Sequence, residues 1–295
     1  RESSGNVAEM KRESLHREVP EEKLENLKPM TVAVLGKAGN GKSSTCNTIV
    51  QAHKFESKRS CTGVTTACQM ESVVSPCKQW NITVIDTPGL CDQGDSDNEL
   101  LTEIGRCVEY ATIGEVIERV GTAPDSSEEV REGIDTAAGA GPTSETSGDG
   151  EPKKGVDALV LVLSLQGRFT DEEMQIVNTF KRIFGEECWK SRAILVWTHA
   201  DALEADHSTF EEYIEGASGE LAGLLESMGG HSLLFNNRMR GDLVQQQVQR
   251  LVEMVAGIIE SKDGVPYTLE DYRIANTPKP LKGKKGRRQR QLAMR

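Results

Sequence analysis

Thr31-Val-Ala-Val-Leu-Gly-Lys-Ala-Gly-Asn-Gly-Lys-Ser43 decides the fold. Its first five residues are an unbroken apolar, β-rich run, which predicts a strand buried on both faces of a parallel sheet. Gly36-Lys-Ala-Gly-Asn-Gly-Lys-Ser43 then fits Gly-x-x-x-x-Gly-Lys-[Ser/Thr] without a mismatch. A helix is predicted from Lys42 to about His53, so the motif stands between a strand and a helix, as it must. The residue types carry the chemistry. Glycines let the backbone of Gly36, Lys37, Ala38, Gly39, Asn40 and Gly41 bring its N–H groups close to phosphate oxygens, and the helix N-terminus adds its positive dipole end. Lys42 reaches the β- and γ-phosphates as a point charge, and Ser43 Oγ ligates Mg²⁺. Ser44 completes the set expected at the phosphates.

Outward from this motif the chain alternates. Strands are predicted at Ala67–Val74 and Trp80–Asp86, with Ser75-Pro76 as the turn between them. A helix follows over Leu100–Tyr110, then a buried strand at Asp157–Leu163. Thr170-Asp-Glu-Glu173 is a capping box ahead of an apolar face at Met174, Val177, Phe180 and Phe184. Ala193–Trp197 reads as a strand, Phe210 to about Met228 as one helix ending at Gly229-Gly230, and Ser232–Phe235 as the last strand. Val244, Val248, Leu251, Val255 and Ile258 mark an amphipathic helix packed on the sheet. Strands alternating with helices imply an α/β domain with a mainly parallel sheet and helices on both faces.

The 295 residues suit one large domain or two ordinary ones, and 37% hydrophobic content supports a core. Aromatics are only 4%, so Val, Ile, Leu and Ala must build that core. The longest apolar run, Ala158–Leu163, is far shorter than a membrane-spanning helix. Seven cysteines, an odd number with no Cys-x-x-Cys, argue against a disulfide framework and a zinc site, and for a reducing compartment. The chain opens on Arg1 rather than Met, so its natural start, with any targeting segment, is expected upstream.

Charge is uneven. The net charge is −11, yet Lys279–Arg295 holds eight cations and no acid, leaving −19 for the remainder. An acidic body does not bind DNA non-specifically, whereas the basic tail suits weak contact with an anionic membrane or RNA. Residues 113–155 carry ten acids against four cations, and Ala137–Gly150 is almost devoid of large apolar side chains. Such a stretch cannot offset its ordering entropy, so it reads as a disordered acidic insertion. The expected organisation is a polar extension over 1–28, a domain over 29–270 interrupted by 113–155, and a flexible basic tail over 271–295.

Three further motifs follow the first in order. Asp86-Thr-Pro-Gly89 closes a hydrophobic strand, as the second phosphate-side element of a GTPase should. Asp86 would hold Mg²⁺ through water, and the Gly89 N–H would face the γ-phosphate. Thr198-His-Ala-Asp201 follows the strand Ala193–Trp197, where a GTPase places its guanine reader, usually Asn-Lys-x-Asp. Asp201 can accept from the N1 and N2 protons of guanine, which adenine lacks, and His199 could lay its ring on the base. Phe235-Asn-Asn237 matches the loop that closes over the base, with Asn236 or Asn237 as the contact.

Together with Phe55-Glu-Ser57, Val64-Thr65 and Leu163-Ser-Leu-Gln-Gly-Arg-Phe-Thr-Asp-Glu-Glu173, these motifs resemble the AIG1-type GTPases, also called immune-associated nucleotide-binding proteins or GIMAPs. The resemblance implies a septin-related P-loop G domain with sheet order 2-3-1-4-5-6 and one antiparallel edge strand. It implies GTP/GDP and Mg²⁺ as ligands, slow hydrolysis, and GTP-dependent homo-oligomers formed across the nucleotide face. By motif position Thr65, with Thr66 as the alternative, is the switch threonine on the metal, and Ser57 contacts nucleotide. Thr65 and Lys42 are the residues expected to carry catalysis. A cytoplasmic protein, peripheral on a membrane surface, is the matching expectation. The 113–155 insertion departs from the family pattern, and Thr198 stands where GTPases usually carry Asn. Leu90 stands where Ras-like proteins carry the Gln that orients water. Two function classes therefore remain: a slow GTPase completed by a partner, or a GTP-loaded scaffold with negligible turnover.

Overall fold

The computed structural model describes residues 27–56, 68–90, 97–113, 154–215 and 219–277. Ser57, Thr65 and Thr66, residues 114–153 of the acidic insertion, and the basic tail beyond Thr277 lie outside the described residues. The strands are β1 (Lys28–Gly36), β2 (Gln69–Val74), β3 (Trp80–Asp86), β4 (Ala158–Ser164), β5 (Ala193–Thr198) and β6 (Ser232–Leu234). The helices are α1 (Lys42–Val50), α2 (Asp97–Ile113), α3 (Asp171–Phe184), α4 (Glu186–Arg192), α5 (Ala200–Ala205), α6 (Phe210–Glu215), α7 (Gly219–Ser227), α8 (Asp242–Ser261) and α9 (Leu269–Asn276). One sheet runs β2-β3-β1-β4-β5-β6. β2 pairs antiparallel with β3, and every other pairing is parallel. This is the order and the single antiparallel edge that the family resemblance implies.

The strand alternation divides the core. Ala33 and Leu35 of β1, with Leu159, Leu161 and Leu163 of β4, face a layer built from α2, α3, α4, α7 and α9. Val32 and Val34, with Val160 and Val162, face α1 and α8. The period of two carries neighbouring side chains to opposite faces, so a run apolar at every position needs helices on both sides. Helix α3 begins where the capping box places it, with the Glu173 carboxylate accepting from the Thr170 N–H at 3.1 Å. Phe180 is fully buried and meets Trp189 edge-on, ring centroids 5.4 Å apart.

Two expectations change. The chain beyond Glu270, read as tail, continues as α9 through Asn276. A second capping box starts it, in which Thr268 N–H donates to Asp271 Oδ2 at 2.8 Å. Buried Tyr272 then donates its hydroxyl to Leu101 O at 2.6 Å. Gly105 of α2 lets that ring approach, since a Cβ there would lie 3.1 Å from it. Within the predicted helix Phe210–Met228 the described residues are helical over α6 and α7, and the residues between these lie outside the described residues. The cysteine reading is also corrected, because Cys68, just before β2, is bonded to Cys107 of α2, with Cα atoms 6.0 Å apart. A single bridge across 39 residues leaves no spacing signature, and the odd total conceals it. Cys46, Cys77 and Cys188 are free.

Candidate nucleotide site

The carboxyl ends of the parallel strands gather every described motif at one edge of the sheet, the position at which open α/β sheets bind ligands. Between β1 and α1 the loop Gly36–Gly41 turns sharply, and two of its glycines are required by geometry. Gly36 has φ 146° and its missing Cβ would stand 2.5 Å from Val162 O. Gly41, at φ 92°, delivers the chain into α1. Lys42 is 7% exposed and its ammonium donates to Lys37 O at 3.2 Å, so the side chain lies folded over the loop that it would help to charge. Lys37 itself reaches out to Glu172 of α3, Nζ to Oε2 2.5 Å.

Ser43 Oγ donates to Asp86 Oδ2 at 2.6 Å. Asp86 is wholly buried at the end of β3, so its carboxylate meets the first turn of α1 directly. A hydroxyl and a carboxylate are hard oxygen donors, and they suit Mg²⁺, which favours few protein ligands and completes its shell with phosphate and water. Among the described residues no group of three or more His, Cys, Asp or Glu side chains is placed to hold a metal ion. Beneath the pair lies Cys46, whose thiol burial pushes well above its usual range, with the Asp86 charge adding to the effect. It is a packed, unreactive thiol.

Asp86-Thr-Pro-Gly89 leaves β3 against the loop. Thr87 Oγ1 donates to Val34 O at 2.9 Å, Gly89 is buried, and Leu90 N–H donates to Gly36 O at 2.9 Å. The Leu90 side chain is fully buried in the core.

At the end of β5, Thr198 is fully buried. Its hydroxyl lies 2.7 Å from Asn40 O and 3.2 Å from Leu163 O. The residue that departs from Asn-Lys-x-Asp thus ties the base-side loop to the phosphate loop. His199 sits at φ 61°, with Nδ1 3.1 Å from Ser164 Oγ and 3.2 Å from Thr198 Oγ1. Asp201 lies in the first turn of α5, and its carboxylate pairs with Arg238.

The two asparagines separate by role. Asn237 Nδ2 donates to Thr45 Oγ1 at 3.1 Å, and Thr48 Oγ1 donates to Asn237 Oδ1 at 2.8 Å, so this side chain is bound to α1. Asn236 Oδ1 accepts from Arg238 N at 2.9 Å, and Asn236 N donates to Gln247 Oε1 of α8 at 2.8 Å. Ala38 and Ser44 are half-buried along the same loop and helix. Sequence reasoning missed Thr45, Thr48, Gln247, Glu172 and Arg238. Thr45, Thr48, Glu172 and Arg238 act across long stretches of chain, Gln247 across 11 residues, and no motif of the site singles any of them out.

Comparison with known proteins follows the same residues. A family model, described as the AIG1 family, matches residues 30–117 and 151–284. It begins in β1 and passes over most of the acidic insertion. Immune-associated nucleotide-binding protein 10 of Arabidopsis thaliana is 31% identical over 247 residues, covering 82% of this chain and 43% of its own length. Protein 12 of the same series and plant is 33% identical, covering 80% and 49%. The chain thus spans about half the length of these curated relatives. Among solved structures, a dimerization-deficient mutant of Toc33 from Arabidopsis thaliana gives a TM-score of 0.50 at 20% identity, covering 82% of this chain and 88% of that one. A structure from work on the chloroplast translocon components atToc33 and psToc159 gives 0.50 at 21% identity, covering 81% and 86%. At such identity the likeness is one of fold.

Proposed function

The chain belongs to the AIG1 family, and on that premise we propose that it binds GTP and GDP with Mg²⁺, hydrolyses GTP slowly, and assembles when GTP is bound. The observation that carries this is the meeting of a complete phosphate loop, the Ser43–Asp86 pair and the Asp201 carboxylate at one end of one sheet. The backbone of Gly36–Gly41 and the N-terminus of α1 receive the phosphates. Lys42 exchanges Lys37 O for phosphate oxygens and neutralises their charge. Ser43 and Asp86, with Thr65 or Thr66, hold Mg²⁺, which when bound draws charge from the β- and γ-phosphate oxygens. Asp201 accepts the two guanine protons, His199 lies along the base, and Ser57 adds a contact. Asn237 ties the closing loop to α1, and Asn236 or Asn237 contacts the base.

Turnover is where the site falls short. Leu90 is buried and apolar, so this position supplies no group to orient water. Dimerization is important for the GTPase activity of Toc33. The same dependence is our reading of this chain: a second copy across the nucleotide face supplies the missing group. The burial of Leu90 also favours a second reading, a GTP-loaded scaffold with negligible turnover. Multiple-turnover phosphate release at two protein concentrations separates them. The enzyme reading predicts a specific rate that rises with protein concentration, and a rate indistinguishable from buffer at both supports the scaffold. No helix among the described residues is long and apolar enough to cross a membrane. We keep a cytoplasmic protein, with its basic tail on an anionic surface, as the accompanying proposal.

A further inference from the structure

The base-side edge of the site holds an ion pair that no motif announces. Arg238 Nη1 donates to Asp201 Oδ2 at 2.7 Å. We propose that Arg238 is a positioning residue for the purine, fixing the plane of the Asp201 carboxylate so that both oxygens face the two N–H donors of guanine. This rests on the guanine reading above.

The backbone that carries Arg238 is fixed from several sides. Phe235 N–H donates to Trp197 O at 2.7 Å, Asn236 N–H to Gln247 Oε1 at 2.8 Å, and Met239 N–H to Asn236 O at 3.2 Å. Arg238 N–H itself donates to Asn236 Oδ1 at 2.9 Å. The loop is therefore tied to β5 and to α8. The opposite element is fixed too, since Ala200 N–H donates to Phe235 O at 3.2 Å. What the backbone leaves undetermined is the last torsion of Asp201, because the carboxylate rotor is broad rather than staggered. A donor at a fixed place determines it.

The stoichiometry leaves room for a base. An ionised carboxylate offers about four acceptor positions, and Arg238 takes one of them. No other side chain among the described residues donates to this carboxylate. The second position on Oδ2 and both on Oδ1 remain for guanine N1–H and N2–H. The Asp201 side chain is 24% exposed and that of Arg238 is 70% exposed. Water therefore screens the pair when the site is open, and its contribution to stability there is small. A base laid over Asp201 excludes that water and strengthens the same contact. The pair thus acts when the base binds, which suits a specificity device better than a structural clamp.

The test compares Mg-GDP, Mg-IDP and Mg-ADP by calorimetric titration. Hypoxanthine in IDP keeps the N1 proton and lacks the 2-amino group, so the GDP-to-IDP ratio reads the second contact alone. Wild-type protein should favour GDP over IDP by roughly 10- to 100-fold, the range for one hydrogen bond to a charged group. Arg238→Met should collapse that ratio to a few-fold, with GDP losing more than IDP. Arg238→Lys keeps the charge without the planar fork and should fall between. An equal loss for all three nucleotides would show Arg238 acting as a bulk charge, and tighter GDP binding in Arg238→Met would show it acting as a plug; each overturns the proposal. Wild-type preference for GDP over ADP with an unchanged GDP-to-IDP ratio in both variants sinks the positioning role alone. No preference for GDP over ADP in the wild type sinks the guanine reading itself.

Discussion

Replacing Thr198 by Val tests whether this residue reads the base or ties the two loops together. The side chains are nearly isosteric, so packing around a fully buried position is retained. What is lost is one hydroxyl proton. It can go to Asn40 O at 2.7 Å, or to Leu163 O or His199 Nδ1 at 3.2 Å, and the shortest contact takes it. Without it, a carbonyl in the phosphate loop loses a buried donor, which costs about 1–3 kcal/mol. For a domain of this size each kcal/mol moves the unfolding midpoint by about 2–4 °C. The nucleotide-free protein should therefore unfold about 4–8 °C lower, taking the middle of that cost. Thermal unfolding without nucleotide, followed by GDP titration, is the assay. GDP affinity should fall with the loosened loop, and GDP should recover part of the lost midpoint. An unchanged midpoint in the nucleotide-free protein with weakened GDP binding would refute the reasoning, because it would place the hydroxyl on the base.

Two other outcomes are expected. Ser43→Asn should weaken Mg-GTP binding more than Mg-GDP binding, since Ser43 Oγ and Asp86, in contact in the structure, are the oxygen donors proposed to hold Mg²⁺; equal losses in titrations with and without EDTA would show that Ser43 is no metal ligand. Intact protein kept from reductant should be two hydrogens lighter than the reduced chain, with Cys68 and Cys107 in one peptide pair, and reduction should lower the unfolding free energy by up to about 4 kcal/mol for a loop of this length. Recovery of both thiols as free residues from air-equilibrated protein would contradict it.

The parts legible in sequence are those whose signal is local. Thr31–Leu35 reads as a doubly buried strand because Val32, Ala33, Val34 and Leu35 are all apolar, and the structure gives these four a helix layer on each face. Thr170 and Glu173 place the start of α3 three residues apart in sequence. Helix α9 carries an equally local signal in Thr268 and Asp271, but the Pro- and Lys-rich composition beyond it outweighs the capping residues in a reading by composition. The site divides in the same way. The phosphate loop is one continuous stretch, so its residues carry their own motif. Arg238 meets Asp201 across 37 residues and Thr198 meets Asn40 across 158, and only the closed sheet brings them together. The hold of Thr45 and Thr48 in α1 on Asn237 likewise joins residues about 190 apart that no motif links. Leu90 is visible in sequence as a missing Gln, while its burial in the core is not.

The central claim is that the Asp201 end of this sheet selects guanine. Displacement of a fluorescent guanine nucleotide from the Mg²⁺-loaded protein by GDP, GTP, ADP and ATP tests it most directly. GDP and GTP should displace the probe near stoichiometrically, and ADP and ATP should fail in large excess. Asp201→Asn should transfer the preference to xanthosine nucleotides, because an amide donates where the carboxylate only accepts. Displacement by ADP as effective as by GDP would contradict the account.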